Sequence, residues 1–198
     1  MLDIVTNKDI KYFNPKTRGA LQMFSRTFYK FYRECNLNHK NIVILCIGSD
    51  RATGDCLGPI TGERLLSESH SCSNSYAVYG TLTSPVHAGN LNDSIHEINE
   101  TIPKPYIVAI DASLGIHQHV GMVTIGSGNL CPGVGVNKKL PRVGDAHITG
   151  IVNTLGGNNH ITLQTTHLAT VTALADFIAK GIINAVTYPF FPPMPGIK

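Results

Sequence analysis

Residues 41–66 read NIVILCIGSDRATGDCLGPITGERLL, and the order of residue types in this stretch decides the fold class. The apolar, β-branched run Ile42 to Ile47 predicts a strand; it stops at Gly48, crosses the polar turn Ser49 to Gly54, and gives way to a helical pattern after Pro59. Strand, loop and helix in this order are the unit of an α/β sheet. In such sheets ligands gather where strands end and helices begin, and Asp55 stands there. An aspartate near a helix start is also a common cap, so both readings are open at this point. Two nucleotide-binding readings fail on chemistry. A P-loop needs Lys and Ser or Thr after its last glycine, whereas Gly54 is followed by Asp55 and Cys56; Gly48 and Gly54 also lack the dinucleotide spacing.

The rest of the chain extends the same pattern. Leu21, Phe24, Phe28, Phe31 and Cys35 recur at helical spacing within Asn14 to Cys35, which predicts a core-facing first helix with Pro15 near its start. Tyr76 to Leu82 has strand character, and Val86 to Thr101 reads as a helix with His87 at its head, a surface residue or a site residue. Tyr106 to Ile110 is continuously apolar, as a strand covered on both faces must be, and ends at Asp111. That places a second carboxylate at a strand end, and sequential strands of such sheets are often neighbours. Asp55 and Asp111 are therefore the leading candidate pair.

Further on, Ala112 to His119 reads as a loop, Val120 to Ile125 as a strand, and His147 to Val152 as the last strand. His117 and His119 can share a face as metal ligands do, or decorate a turn. The Gly- and Pro-rich segment Cys131 to Gly144 predicts no regular structure; its Lys138, Lys139 and Arg142 suit an acidic peptide or simple solubility. After a short apolar stretch, Ile161 to Leu163, Thr165 and Thr166 are candidate caps of a long helix to about Asn184, with Leu168, Val171, Leu174, Ala175 and Ile178 inward. His167 lies at its head, as ligand, acid/base group or exposed residue. The proline-bearing tail from Tyr188 predicts an extended arm.

Composition bounds the function. With 198 residues, 42% hydrophobic and 15% charged, the chain fits one compact domain, expected over 41–186 with a helical extension before it and a tail from 187. A net charge of +3 is too mild to point to nucleic acid. No apolar run reads as a membrane span and the first residues lack signal-peptide character, so a cytoplasmic protein is expected. Five cysteines without a C-x-x-C pair argue against a zinc site or a disulfide framework; Cys46 reads as core, and Cys56 has no neighbouring base to make it a nucleophile.

Three motifs together, Gly48 to Pro59 (GSDRATGDCLGP), Val108 to Ala112 (VAIDA) and Pro132 to Lys139 (PGVGVNKK), resemble the sporulation protein YyaC family over Asn41 to Val186. That family is similar in turn to the germination protease of endospore formers and, more remotely, to hydrogenase maturation endopeptidases. The resemblance implies a three-layer α/β/α sandwich with a central, mainly parallel sheet, phosphorylase/hydrolase-like. It implies peptidase chemistry with Asp55 and Asp111 as an acid/base pair and small acid-soluble spore proteins as natural substrates. No cofactor is expected; the alternatives are a divalent metal held by Asp55, Asp111 and His167, or a non-catalytic binding protein on the same fold. The site is expected to be lined by Gly48, Ser49, Gly54, Gly58, Asn137 and Lys138, with backbone N–H groups from Gly54 to Gly58 supporting an oxyanion. No membrane or nucleic-acid partner is expected, and a homo-oligomer is compatible with such a chain.

The chemistry of the pair stands apart from the resemblance. Two adjacent carboxyls do not both ionise easily, so one keeps its proton as an acid while the other serves as a base.

Overall fold

A computed structural model describes residues 10–68, 75–133 and 140–187. Its elements in order are β1 (Lys11–Phe13), α1 (Ala20–Leu37), β2 (Asn41–Cys46), α2 (Leu57–Ser67), β3 (Ala77–Tyr79), α3 (Leu91–Thr101), β4 (Pro105–Gly115), β5 (Val123–Ser127), β6 (Ala146–Thr154), α4 (Asn159–Gln164) and α5 (Leu168–Thr187). The six strands form one sheet in the order β1-β5-β6-β4-β2-β3. The pairs β3–β2, β2–β4 and β4–β6 are parallel; β5 is antiparallel to both its neighbours. The fold is the expected α/β/α sandwich with a mainly parallel sheet.

The apolar run of β2 shows why there are three layers. Ile42, Ile44 and Cys46 point into a core shared with α1, α2 and α5, while Val43, Leu45 and Ile47 point into a second core under α3. All six are buried, which is why the run is apolar throughout instead of alternating. On the first side Phe24 is wholly buried and meets Phe13 edge-on at 5.5 Å and Phe177 at 5.4 Å. These aromatic contacts tie β1, α1 and α5 together.

Several elements differ from the sequence reading. The segment before residue 41 contains β1, an antiparallel edge strand beside β5, as well as a helix. The first helix begins at Ala20, not near Pro15, and α3 begins at Leu91, because His87–Asn90 is a turn in which Asn90 accepts the His87 N–H at 2.8 Å. β4 does not end at Asp111 but runs to Gly115, because β6 supplies a parallel partner as far as Thr154. Ile161 to Leu163 is part of α4, and Leu168, expected inward, is 55% exposed. Contrary to the hydropathy reading, α5 is by length and composition apolar enough to cross a membrane; half of that window is buried inside the fold, and the helix packs on α1 and α2. The tail from Tyr188 and the connection 69–74 lie outside the described residues.

Candidate functional site

The parallel strands deliver two carboxylates to one place. After β2, Ile47 continues beside β4 through its N–H to the Ile110 carbonyl (2.7 Å), and Gly48 donates to Val86 (2.8 Å). Gly48 has φ of 144°, and a Cβ on it would run into the backbone carbonyl of Asp55. Only glycine lets the chain fold back over the strand end here. The return passes through a 3-10 turn, Thr53–Cys56, closed by the Asp55 N–H on the Ala52 carbonyl (2.9 Å), and enters α2. Asp55 is thereby suspended over the sheet, half-buried, its carboxyl accepting from the Ser49 hydroxyl and backbone N–H. Burial raises its pKa above the ordinary carboxylate value; the Ser49 bonds and the facing His160 and His87 pull the other way.

Asp111 sits on β4 in register with Thr149 of β6 and is 7% exposed. Its Oδ1 accepts the Ala112 N–H at 2.8 Å, and the Gly133 N–H also reaches the carboxyl. These bonds favour the anion, but loss of water and the neighbouring charge of Asp55 outweigh them, so its pKa stands well above the ordinary value. Asp111 is the more deeply buried and the more strongly raised of the two, so it is the member of the pair that holds a proton more tightly, and the Asp55 charge adds to that hold.

Both carboxylates open into a cavity of about 540 Å³ at the carboxyl end of the strands. That volume suits a small ligand or a few residues of a peptide. Of the residues expected to line it, Gly48, Ser49, Asp55, His87 and Asp111 do so. His87 faces it with a fixed ring, Nδ1 accepting the Gly89 N–H at 3.1 Å, which leaves Nε2 to carry the hydrogen of the neutral form. Gly54 and Gly58 do not line the cavity; they are packing glycines, Gly54 against Leu163 and Thr166, Gly58 against the Ile47 backbone. Of the N–H groups expected to support an oxyanion, that of Asp55 is taken by the Ala52 carbonyl. Asn137 and Lys138 lie outside the described residues.

His167 is exposed at the head of α5 and is not part of the lining. The histidine that joins His87 in facing Asp55 is His160, on α4. Sequence reading missed it by placing the helix start at Thr165 and Thr166 and reading Ile161 to Leu163 only as a short apolar stretch before it. The available signal was Asn158, whose side chain caps α4 by accepting from the His160 and Ile161 N–H groups at 3.1 and 3.3 Å. Arg51, Gln164 and Leu163 complete the same wall. Among the described residues no three His, Cys, Asp or Glu side chains come together as a metal-ligand set, and His167 is not gathered with Asp55 and Asp111. His117 and His119 lie on a short 3-10 turn, where the His119 ring rests against Tyr12 at 4.8 Å. Burial and the charges of Asp50 and Asp55 raise the Cys56 thiol, the opposite of what a nucleophile needs.

Comparison with known proteins gives three findings. The family described as "Protein of unknown function (DUF1256)" matches residues 12–181. "Uncharacterized protein YyaC" of Bacillus subtilis (strain 168) is 46% identical over 143 residues, 72% of this chain and 68% of that protein. Among solved structures, the nickel–iron hydrogenase maturation protease HycI from Thermococcus kodakarensis KOD1 is similar at a TM-score of 0.42 and 18% identity, over 73% of this chain and 94% of that one.

Proposed function

The chain belongs to the DUF1256 family, and we propose that it hydrolyses peptide bonds, with Asp111 as the acid and Asp55 as the base. The observation that carries this reading is the pair itself: two carboxyls lining one cavity, with the buried Asp111 raised more strongly than Asp55 and in part by the Asp55 charge. A water between Asp55 and the scissile carbonyl gives a proton to the Asp55 carboxylate and adds its oxygen to the carbonyl carbon. Asp111 delivers its proton to the carbonyl oxygen in the same step, so a neutral diol forms instead of a free oxyanion. Collapse of the diol expels the amine, which takes the proton from Asp55, while Asp111 recovers its own from the diol hydroxyl.

The substrate is a protein or peptide, and the resemblance points to small acid-soluble spore proteins, met in the cytoplasm of a sporulating cell. The test is incubation of the purified protein with those proteins, read by mass spectrometry. Cleavage is expected, and Asp111→Asn or Asp55→Asn should each slow it by about a hundred- to ten-thousandfold without unfolding the chain. Cleavage at an undiminished rate in Asp111→Asn removes the proposal. Stoichiometric binding with no product would instead make this a binding protein.

A further inference from the structure

One lining residue of the cavity carries a charge that the hydrolytic chemistry does not use. Arg51 lines the cavity four residues before Asp55, yet it is absent from the groups that shift Asp55, whose carboxyl is taken by Ser49. Among the described residues the side-chain ion pairs are Arg64 with Asp176 and His96 with Glu100; Arg51 enters neither. The same cavity is lined by Gln164, an amide with two donors, and His160, an imidazole. A guanidinium is charged at every working pH, and its fork of N–H groups matches a carboxylate in two-point contact. Among the described residues, the lining holds no carboxylate besides Asp55 and Asp111.

Resting on the peptidase reading, we propose that Arg51, with Gln164 and His160, is a carboxylate-binding subsite, so that the preferred substrate presents a carboxylate near the bond to be cut. A substrate carboxylate entering this cavity meets two acidic groups, Asp55 and Asp111, and Arg51 is the lining cation that can offset them. With it, the anion is held apart from Asp55 while the scissile carbonyl faces Asp111. The carboxylate can belong to a Glu or Asp side chain or to a peptide C-terminus; both present the same fork to the guanidinium.

Binding to the Asp111→Asn protein, measured by calorimetry, separates this inference from catalysis. The probes are alanine-based heptapeptides with Glu, Gln or Lys at the centre and both ends blocked, and all-alanine heptapeptides with a free or an amidated C-terminus. The Glu peptide should bind about tenfold or more tightly than the Gln peptide if a side-chain carboxylate is read, and the free-acid peptide likewise over its amide if the terminus is read. Adding Arg51→Gln should erase that ratio, adding Arg51→Lys should retain part of it, and adding Arg51→Glu should turn the preference to the Lys peptide. Equal ratios with Arg51 and with Gln in its place, or no binding of any carboxylate peptide at millimolar concentration, overturn the subsite. If the subsite binds as described while the unmutated protein cleaves nothing, the peptidase reading fails and the subsite stands.

Discussion

Replacing Gly48 by alanine tests whether the loop geometry makes the site. The added Cβ meets the Asp55 carbonyl and approaches Pro59 Cδ to 3.0 Å, on a backbone with φ of 144°. Holding a non-glycine residue in so sparsely populated a region costs about 1–3 kcal/mol, and overpacking against fixed backbone adds about as much again. The sum, about 2–6 kcal/mol, is a large share of the ordinary stability of a domain, about 5–15 kcal/mol. For a chain of this size it lowers the melting temperature by at least about 4 °C. The strain has one economical outlet, which is to push the Asp55 turn away from β2. Relief by that route separates Asp55 from Asp111, so the carboxyls should titrate closer to the ordinary range even in the folded protein. Thermal unfolding and carboxyl-carbon NMR on the same variant read both effects. A melting temperature within about 1 °C of the parent, together with unchanged carboxyl titration, would refute the reasoning.

Other consequences follow from the same contacts. Phe24→Ala removes a wholly buried ring shared by α1, β1 and α5 and should cost about 3–5 kcal/mol in denaturant unfolding, with the α3 side of the sheet protected as before in hydrogen exchange. Asp111 has a folded-state pKa raised above its unfolded value of 3.8, so the folded state binds the proton more tightly. Its contribution to stability is complete below that unfolded value and is lost as pH rises toward the folded one. Asp111→Asn, which cannot ionise and keeps the acceptor for Ala112, should therefore be at least as stable as the parent at neutral pH and show a flatter stability-versus-pH curve between about pH 4 and neutrality. A parent more stable than the variant at pH 7 by over 1 kcal/mol, in the same unfolding assay, would contradict the assignment.

The β2 run and its glycine stop were legible because burial on both faces leaves an unbroken apolar signature, and that run alone predicted the strand-loop-helix geometry around Asp55. Asp111 was legible for the same reason: Val108 to Ile110 must be core, so a carboxyl following them is conspicuous. Its place inside the strand was not, because the extension to Gly115 is enforced by pairing with β6, which no local pattern of Ala112, Ser113 and Leu114 reveals. β1 escaped notice since three residues of an edge strand carry no period. His160 and His167 show the limit most sharply. His160 lies in the first turn of α4 and His167 just before α5, and only the cap at Asn158 and the packing of α4 against the Asp55 turn decide that His160 faces the cavity and His167 the solvent. Gly54 and Gly58 look like ligand-cradling glycines in sequence, whereas close approach of Leu163 and of the Ile47 backbone is what demands them.

The central claim is that one proton is shared unequally between two facing carboxyls. Carbon-13 NMR of selectively labelled aspartate, followed from acid to neutral pH in the parent and in Asp55→Asn, tests it without any substrate. The account predicts that Asp111 stays protonated far above the ordinary carboxylate range and that its midpoint falls when the Asp55 charge is removed. Ordinary titration of both carboxyls near pH 4, or an Asp111 midpoint indifferent to Asp55, would contradict it.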